Sequence, residues 1–271
     1  MSFRKSLTQS KSKSKSKFIS VYDSATKEYQ ESFDVFLKNT NQKIVAKKKL
    51  DQLIEDLPQK NLLIDVGAGN GEITARYSNE NSPLKFDRTI ALEPNLNLCE
   101  QLKITCPTAT IISQSVDEAQ INEKADCIVC SHVFYYIPKD LWLVTLEKMT
   151  SWLNEDGILV LILQNYQTDC MKMIYKFLGK YYNLSALKDR FLKIHNQDFQ
   201  GRIESIPATV TVDDFPPAYT ICEFMLNCFT IPKPPPLRKD IETYIKNNFQ
   251  IKQTYVLSCH QDILIIKKKG E

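Results

Sequence analysis

Between residues 61 and 163, short apolar runs alternate with longer segments in which apolar residues recur at helical spacing. The runs predict strands at 61–66, 88–93, 109–112, 126–130 and 158–163. The segments between them predict helices at 71–79, 95–105 and 138–153. Pro138 suits the first turn of the third helix, and 154–157 predicts a turn. Strands that alternate with helices form a mostly parallel sheet, so we expect an α/β protein with a doubly wound sheet.

The segments on either side have a different pattern. Residues 24–38 place Ala25, Tyr29 and Phe33 at helical spacing with Ser24 as a candidate cap, and 42–56 predicts a second helix. Beyond residue 166 the chain is mostly helical, with an extended stretch at 206–212, a proline-rich break at 232–236 and two final strands at 255–258 and 263–267 that return to the sheet. We therefore divide the chain into a disordered basic tail (1–17), a helical N-terminal lid (18–57), a cofactor-binding core (58–165), a mostly helical substrate cap (166–249) and terminal strands that complete the sheet (250–271).

The net charge of +3 is unevenly distributed. Residues 1–17 contain six basic side chains and no acidic one, so the rest of the chain is slightly acidic. An acidic body does not favour a nucleic-acid partner, because such proteins carry a positive face. The Lys/Ser tail is typical of a disordered, solubilising segment, and the alternative is an arm for nucleic acid or a membrane surface.

Export and membrane insertion are not indicated. The chain contains no uncharged apolar run of about 18 residues and no apolar segment near its start, so we expect a cytoplasmic protein with no membrane association. Its eight cysteines are then expected to be reduced. Cys127 and Cys130 form a C-x-x-C inside a predicted strand, where their side chains point to opposite faces, which favours buried thiols over a metal site.

Three of the seven glycines, Gly67, Gly69 and Gly71, lie within five residues at a strand-to-helix turn that follows Asp65. Glycine lets the backbone approach a ligand closely, so this turn suits a nucleotide-like cofactor. The dinucleotide pattern G-x-G-x-x-G is not met, because position 72 is Glu72, which we assign to the positive end of the helix dipole.

Glu93 ends the second strand about 20 residues beyond the turn, where an acid in such folds accepts hydrogen bonds from both ribose hydroxyls. The carboxyl ends of parallel strands meet at one edge of the sheet, so Gly67, Glu93, Ser131 and His132 are expected to lie together. A ribose without a pyrophosphate points to S-adenosyl-L-methionine (SAM).

These features resemble the class I SAM-dependent methyltransferases, whose Rossmann-like fold has a seven-stranded sheet. The resemblance implies cofactor contacts at Asp65, Gly67, Gly69, Gly71, Glu93, Ser131, and Ser115 or Val116 beside the adenine. A narrower resemblance, to the histamine N-methyltransferase family, rests on segments 29–33, 69–73, 93–94, 134–137 and 224–237. It implies that an N-terminal helix and a helical insert enclose an aromatic substrate pocket formed by Tyr29, Phe33, Tyr135, Tyr136 and Phe224.

The polar substrate contacts of that family are changed in this chain. Gln42 stands where the family has a glutamate, His132 replaces a glutamine, and Cys259 or His260 stands near the position of an asparagine. We therefore expect a neutral or heteroaromatic amine rather than histamine. His132 is the candidate catalytic residue, with a pKa near neutrality that lets it orient the acceptor or take its proton; the alternative is a core histidine.

The leading hypothesis is thus an N-methyltransferase that acts on a small molecule in an enclosed aromatic pocket, as a monomer and without a metal. Two alternatives stay open, namely methylation of a protein or nucleic acid with the basic tail as a docking arm, and SAM binding without activity.

Overall fold

The computed structural model describes residues 16–23 and 26–269, so most of the basic tail, as well as Ser24 and Ala25, lies outside the described residues. The helices are α1 Lys27–Asn39, α2 Gln42–Glu55, α3 Glu72–Ser78, α4 Leu96–Thr105, α5 Trp142–Ser151, α6 Asp169–Leu178, α7 Leu184–His195, α8 Phe215–Asn227 and α9 Arg238–Phe249. The strands are β1 Leu62–Val66, β2 Arg88–Leu92, β3 Thr110–Ile112, β4 Ala125–Ser131, β5 Leu153–Gln164, β6 Phe199–Ile206, β7 Thr209–Val212, β8 Gln250–Ile251, β9 Thr254–Ser258 and β10 Gln261–Lys268.

Seven strands form one sheet in the order β3-β2-β1-β4-β5-β10-β6. The first five are parallel to their neighbours, and β10 runs antiparallel to both β5 and β6. Strand order reverses between β1 and β4, and open sheets of this kind bind ligands at the carboxyl side of that point. The predicted doubly wound, mostly parallel, seven-stranded fold is confirmed.

Alternate residues of the central strands belong to two hydrophobic cores on opposite faces of the sheet. In β4, Ile128 and Cys130 join the larger core and Cys127 and Val129 join the smaller one. Strands that are buried on both faces read as continuous apolar runs, which is why their sequence pattern is so clear. The C-x-x-C thiols therefore lie on opposite faces, as expected.

The C-terminal third differs from its sequence-based description. Residues 199–206 lie in the segment predicted to be a mostly helical cap, yet they form β6, the edge strand of the main sheet. β9 pairs with β7 and β8 in a separate three-stranded sheet. Of the two predicted terminal strands, β10 alone joins the main sheet. β6 is an edge strand with partly exposed side chains, so it lacks the continuous apolar run of the central strands.

Three local predictions also need correction. Residues 154–157 form an irregularity within β5 opposite β4 rather than a turn before it. Pro138 precedes a short 3₁₀ turn, and α5 begins only at Trp142. The side chain that caps α1 is Thr26, whose hydroxyl accepts from the Tyr29 N–H.

Residues 16–23 form a segment that lies against α8 and the loop before α9. The Lys17 carbonyl accepts from Arg238 N–H at 3.0 Å, and Ile19, buried, donates its N–H to Pro236 O at 3.1 Å. Lys17, predicted to belong to the disordered tail, is thus in contact with the folded body. No helix among the described residues is both long and apolar enough to cross a membrane.

Candidate functional site

The glycine turn joins β1 to α3, and its three glycines have positive φ angles of 70°, 58° and 85° at Gly67, Gly69 and Gly71. A Cβ added to Gly67 would lie 2.3 Å from Val133 Cγ2, and one added to Gly71 would lie 2.7 Å from Leu102 Cδ2. A Cβ on Gly69 would meet no atom of the described residues within 4 Å. Gly67 and Gly71 therefore allow the turn to pack, and Gly69 faces open space that a ligand can fill.

Two buried carboxylates flank the turn. Glu93 follows β2 and accepts from the Gly69 and Asn95 N–H groups, each at 2.9 Å, which leaves lone pairs on both oxygens. Asp65, in β1, accepts from the Thr74 hydroxyl at 2.7 Å. Burial raises the pKa of Asp65 to about 6, because desolvation disfavours its charged form.

A cavity of 400 Å³ opens beside the turn, at the carboxyl ends of the central strands. Asp65, Gly67, Ser131 and Gln164 line its floor, and α1, α2, α3 and α8 supply most of its other walls. Ten residues predicted for the site line it, namely Tyr29, Phe33, Gln42, Asp65, Gly67, Ser131, His132, Tyr135, Tyr136 and Phe224.

Aromatic rings dominate the wall opposite the turn. The ring centroid of Phe224 lies 5.1 Å from that of Tyr29 and 5.5 Å from that of Phe33. Tyr135 packs edge-on against Phe229 with centroids 5.3 Å apart, and Tyr136 is exposed at the margin. These contacts bring together three segments of the chain that are far apart in sequence.

His132 lies directly after β4, with a positive φ of 60° that is uncommon for a residue with a side chain. Its Nε2 is 2.8 Å from Gln261 Nε2, and its Nδ1 is 3.4 Å from Tyr135 Oη. Burial, with a smaller contribution from the charge of Lys43, lowers the pKa of His132 to about 4. The expectation of a pKa near neutrality is therefore wrong, and the ring is neutral at physiological pH.

Charged side chains lie along one wall. Lys43, on α2, forms an ion pair with Glu72, the first residue of α3, and its Nζ lies 5.3 Å from the centroid of the Phe33 ring. Glu72 thus forms an ion pair in addition to its predicted favourable interaction with the positive end of the helix dipole. Gln42, also on α2, is buried and donates from Nε2 to Cys259 O at 3.0 Å.

Several predicted site residues do not line the cavity. Cys259 is buried, with Sγ 3.6 Å from Thr40 Oγ1, and His260 Nδ1 lies 3.0 Å from Ala208 N, so neither side chain faces the cavity. Ser115 Oγ donates to Glu118, and Val116 is buried in the larger core. The turn itself contains Gly69 and Gly71, and the Glu93 carboxylate accepts a hydrogen bond from the Gly69 N–H.

Sequence reasoning missed Gln261, Gln164, Lys43 and Phe229, which line the cavity. Gln261 had one usable signal, since it is a polar residue at the start of an apolar strand. Among the described residues, no group of three or more His, Cys, Asp or Glu side chains could hold a metal ion.

Comparison with known proteins gives a family and a fold. The family model described as "Methyltransferase domain" matches residues 38–209. No curated protein matches the chain. Among solved structures, YcgJ from Bacillus subtilis has a TM-score of 0.54 at 12% identity, over 83% of this chain and 100% of that one.

Two further structures were solved with ligands. The plantazolicin methyltransferase BpumL, in complex with SAH, has a TM-score of 0.53 at 11% identity over 89% of this chain and 88% of its own. DhpI, in a complex with SAM and HEP, has a TM-score of 0.50 at 12% identity over 65% of this chain and 86% of its own. At these identities the likeness concerns the fold.

Proposed function

Because the chain belongs to the methyltransferase domain family, we propose that it transfers the methyl group of SAM to a small amine or N-heteroaromatic acceptor held in the aromatic cavity. The observation that carries this proposal is that a single cavity extends from Asp65 and Gly67, beside the turn, to the rings of Tyr29, Phe33 and Phe224. Cofactor and acceptor can therefore meet in one cavity.

The cofactor is SAM, and the residues at the turn fit it. Glu93 is held by two backbone N–H groups with lone pairs free for ribose hydroxyls, and Gly69 leaves room beside it. Asp65 lines the cavity and offers a carboxylate to an amino group. SAM supplies a methyl carbon activated by a sulfonium. BpumL and DhpI, which share the fold, were solved with SAH and SAM respectively.

The acceptor side of the cavity positions a planar group and excludes water. The rings of Tyr29, Phe33 and Phe224 offer apolar faces, and such an environment disfavours a charged amine relative to its neutral, nucleophilic form. Holding the acceptor in line with the methyl carbon is the main contribution of the protein in such a displacement.

His132 contributes by orientation rather than by proton transfer. A group with a pKa of about 4 holds a proton poorly at neutral pH, and both ring nitrogens already face protein partners. N-methyl transfer, and the adenine contacts at Ser115 or Val116, are part of this proposal.

Gln42 argues against histamine as the substrate. It presents an amide where the histamine N-methyltransferase family has a carboxylate, and its Nε2 is bound to Cys259 O. We expect histamine to be a poor substrate, because no carboxylate at that position holds its ammonium group.

The test is calorimetry with SAH, followed by transfer of labelled methyl from SAM to a panel of small heteroaromatic amines that includes histamine. We expect SAH to bind and at least one neutral heteroaromatic to be methylated in preference to histamine. Methylation of protein or nucleic-acid fractions alone would refute the small-molecule assignment. Failure to bind SAH would refute the function altogether.

A further inference from the structure

A buried amide of unexplained orientation lies at the acceptor side of the cavity. Gln261, the first residue of β10, is 2% exposed and lines the cavity. Its Nε2 faces His132 Nε2 at 2.8 Å, and its Oε1 is buried without a hydrogen-bond partner among the described residues. Burying a carbonyl oxygen without a hydrogen-bond partner costs free energy. The hydrogen-bonding groups around Gln261 should therefore indicate which amide atom, Oε1 or Nε2, faces His132.

The hydrogen bonds around Tyr135 decide the orientation. Tyr135 Oη accepts from the Gln164 N–H at 2.6 Å, so its own proton needs a different acceptor. His132 Nδ1, at 3.4 Å, is the one acceptor that the described residues place within reach. Burial raises the pKa of the Tyr135 phenol, which therefore stays protonated and can donate.

The tautomer of His132 follows from this donation. The neutral imidazole ring carries one N–H, and since Nδ1 accepts from Tyr135, that N–H is on Nε2. Nε2–H then donates to Gln261, and only the amide oxygen can accept it. With Oε1 toward His132, the oxygen gains a partner, and the –NH₂ group takes the buried position beside the cavity at which the described residues offer no partner. The opposite arrangement leaves both Oε1 and the Tyr135 hydroxyl proton unpaired.

We propose that Gln261 is a specificity-determining residue whose amide N–H groups bind a lone-pair atom of a neutral, planar methyl acceptor, an atom other than the one that is methylated, with Tyr135 and His132 as the residues that position the amide. This inference rests on the proposed function and narrows its substrate class. An ammonium group has no lone pair to offer the amide.

Three bicyclic probes of similar size separate the possibilities. Naphthalene has no lone pair, isoquinoline has one on its ring nitrogen, and 1,2,3,4-tetrahydroisoquinoline is an ammonium at neutral pH. In the presence of SAH, we expect the full chain to bind isoquinoline about tenfold more tightly than either other probe, as one net hydrogen bond allows. Gln261→Leu should remove this preference while naphthalene binds as before. Gln261→Glu, which keeps the size of the side chain but only accepts hydrogen bonds, should shift the preference to tetrahydroisoquinoline.

The tautomer is a readout that does not depend on a ligand. The chain has three histidines, so ¹⁵N NMR, with His132→Gln to assign the signal, should show His132 protonated on Nε2. Tyr135→Phe removes the donor to Nδ1 and should weaken isoquinoline binding selectively. The proposal is overturned if the parent binds isoquinoline no better than naphthalene, if Gln261→Leu keeps the preference, or if His132 is protonated on Nδ1. Loss of SAH binding would instead count against the proposed function.

Discussion

The two sides of the cavity are built from the chain in opposite ways. The cofactor side is formed mainly by consecutive residues, Asp65 to Gly71, together with Glu93, which directly follows the next strand. The acceptor side gathers single residues from α1, α2, β4, α8 and β10. A contiguous turn can be recognised from its spacing, whereas the residues of the dispersed wall were predicted only through a family resemblance.

Substitution at Gly69 should show the largest effect, because it acts on the cofactor side alone. Gly69→Val places a branched side chain in the open space beside the turn, so we expect SAH affinity to fall about 100-fold or more, or about 3 kcal/mol. Calorimetry measures this directly.

Gly179→Val is the matched control. Gly179, after α6, also has a positive φ, of 65°, and its added Cβ also meets nothing within 4 Å among the described residues. Both variants should lose about 1–3 kcal/mol of stability from backbone strain. Equal SAH affinity in the two variants would show that the ligand does not lie against the turn.

Glu93→Ala tests the next contact along the same side. We expect SAH affinity to fall by about 2–3 kcal/mol, because two charge-assisted hydrogen bonds to the ribose are lost. Asp126→Ala is the control, since Asp126 also accepts from two backbone N–H groups, those of Asn61 and Leu62, but at the opposite end of β1. Both variants should be destabilised. If Asp126→Ala weakens SAH binding as much as Glu93→Ala, the effect is one of stability rather than contact.

The same contrast explains how far the sequence could be interpreted. β1, β2, β4, the apolar part of β5 and the glycine turn were predictable, because strands buried on both faces are continuously apolar and the turn is defined by spacing. The positions of β6 and β9 were not, since edge strands and small sheets are amphipathic or short. Gln261 could not be placed, because its neighbour His132 is 129 residues away in sequence.

The pKa of His132 was the other property that could not be predicted from the sequence. His132 was recognised as a site residue, but its pKa depends on burial and on Lys43, which lies on α2, far from His132 in sequence. The ordinary pKa of a free histidine therefore suggested a base where the folded protein has a neutral hydrogen-bonding ring.

On the acceptor side, Ile19 tests whether the N-terminal segment supports the cap. Ile19 is buried against the loop before α9, so Ile19→Ala should lower the free energy of unfolding by about 2 kcal/mol. SAH affinity should be unchanged, because the segment contacts the cap and not the turn. Val21→Ala, at an exposed position nearby, should stay within about 0.5 kcal/mol of the parent. Equal effects of the two substitutions in denaturant unfolding would show that the segment is not docked.

The effect of Asp65→Asn on stability should depend on pH. The folded pKa of Asp65 is raised from 3.8 to about 6 by burial, so the folded protein holds this proton more tightly than the unfolded chain does. Stability is therefore lost as pH rises between these values, and the full penalty is present above the folded pKa. Asparagine can still accept from the Thr74 hydroxyl but never ionises. The stability of the variant relative to the parent should therefore rise from pH 4 to about pH 6 and then level off, once the full penalty of about 3 kcal/mol for a shift of about two pKa units has been removed. Urea unfolding at a series of pH values measures this difference. A difference that is constant with pH would mean that folding leaves the pKa of Asp65 unshifted, and one that falls as pH rises would mean that a charge partner stabilises the carboxylate.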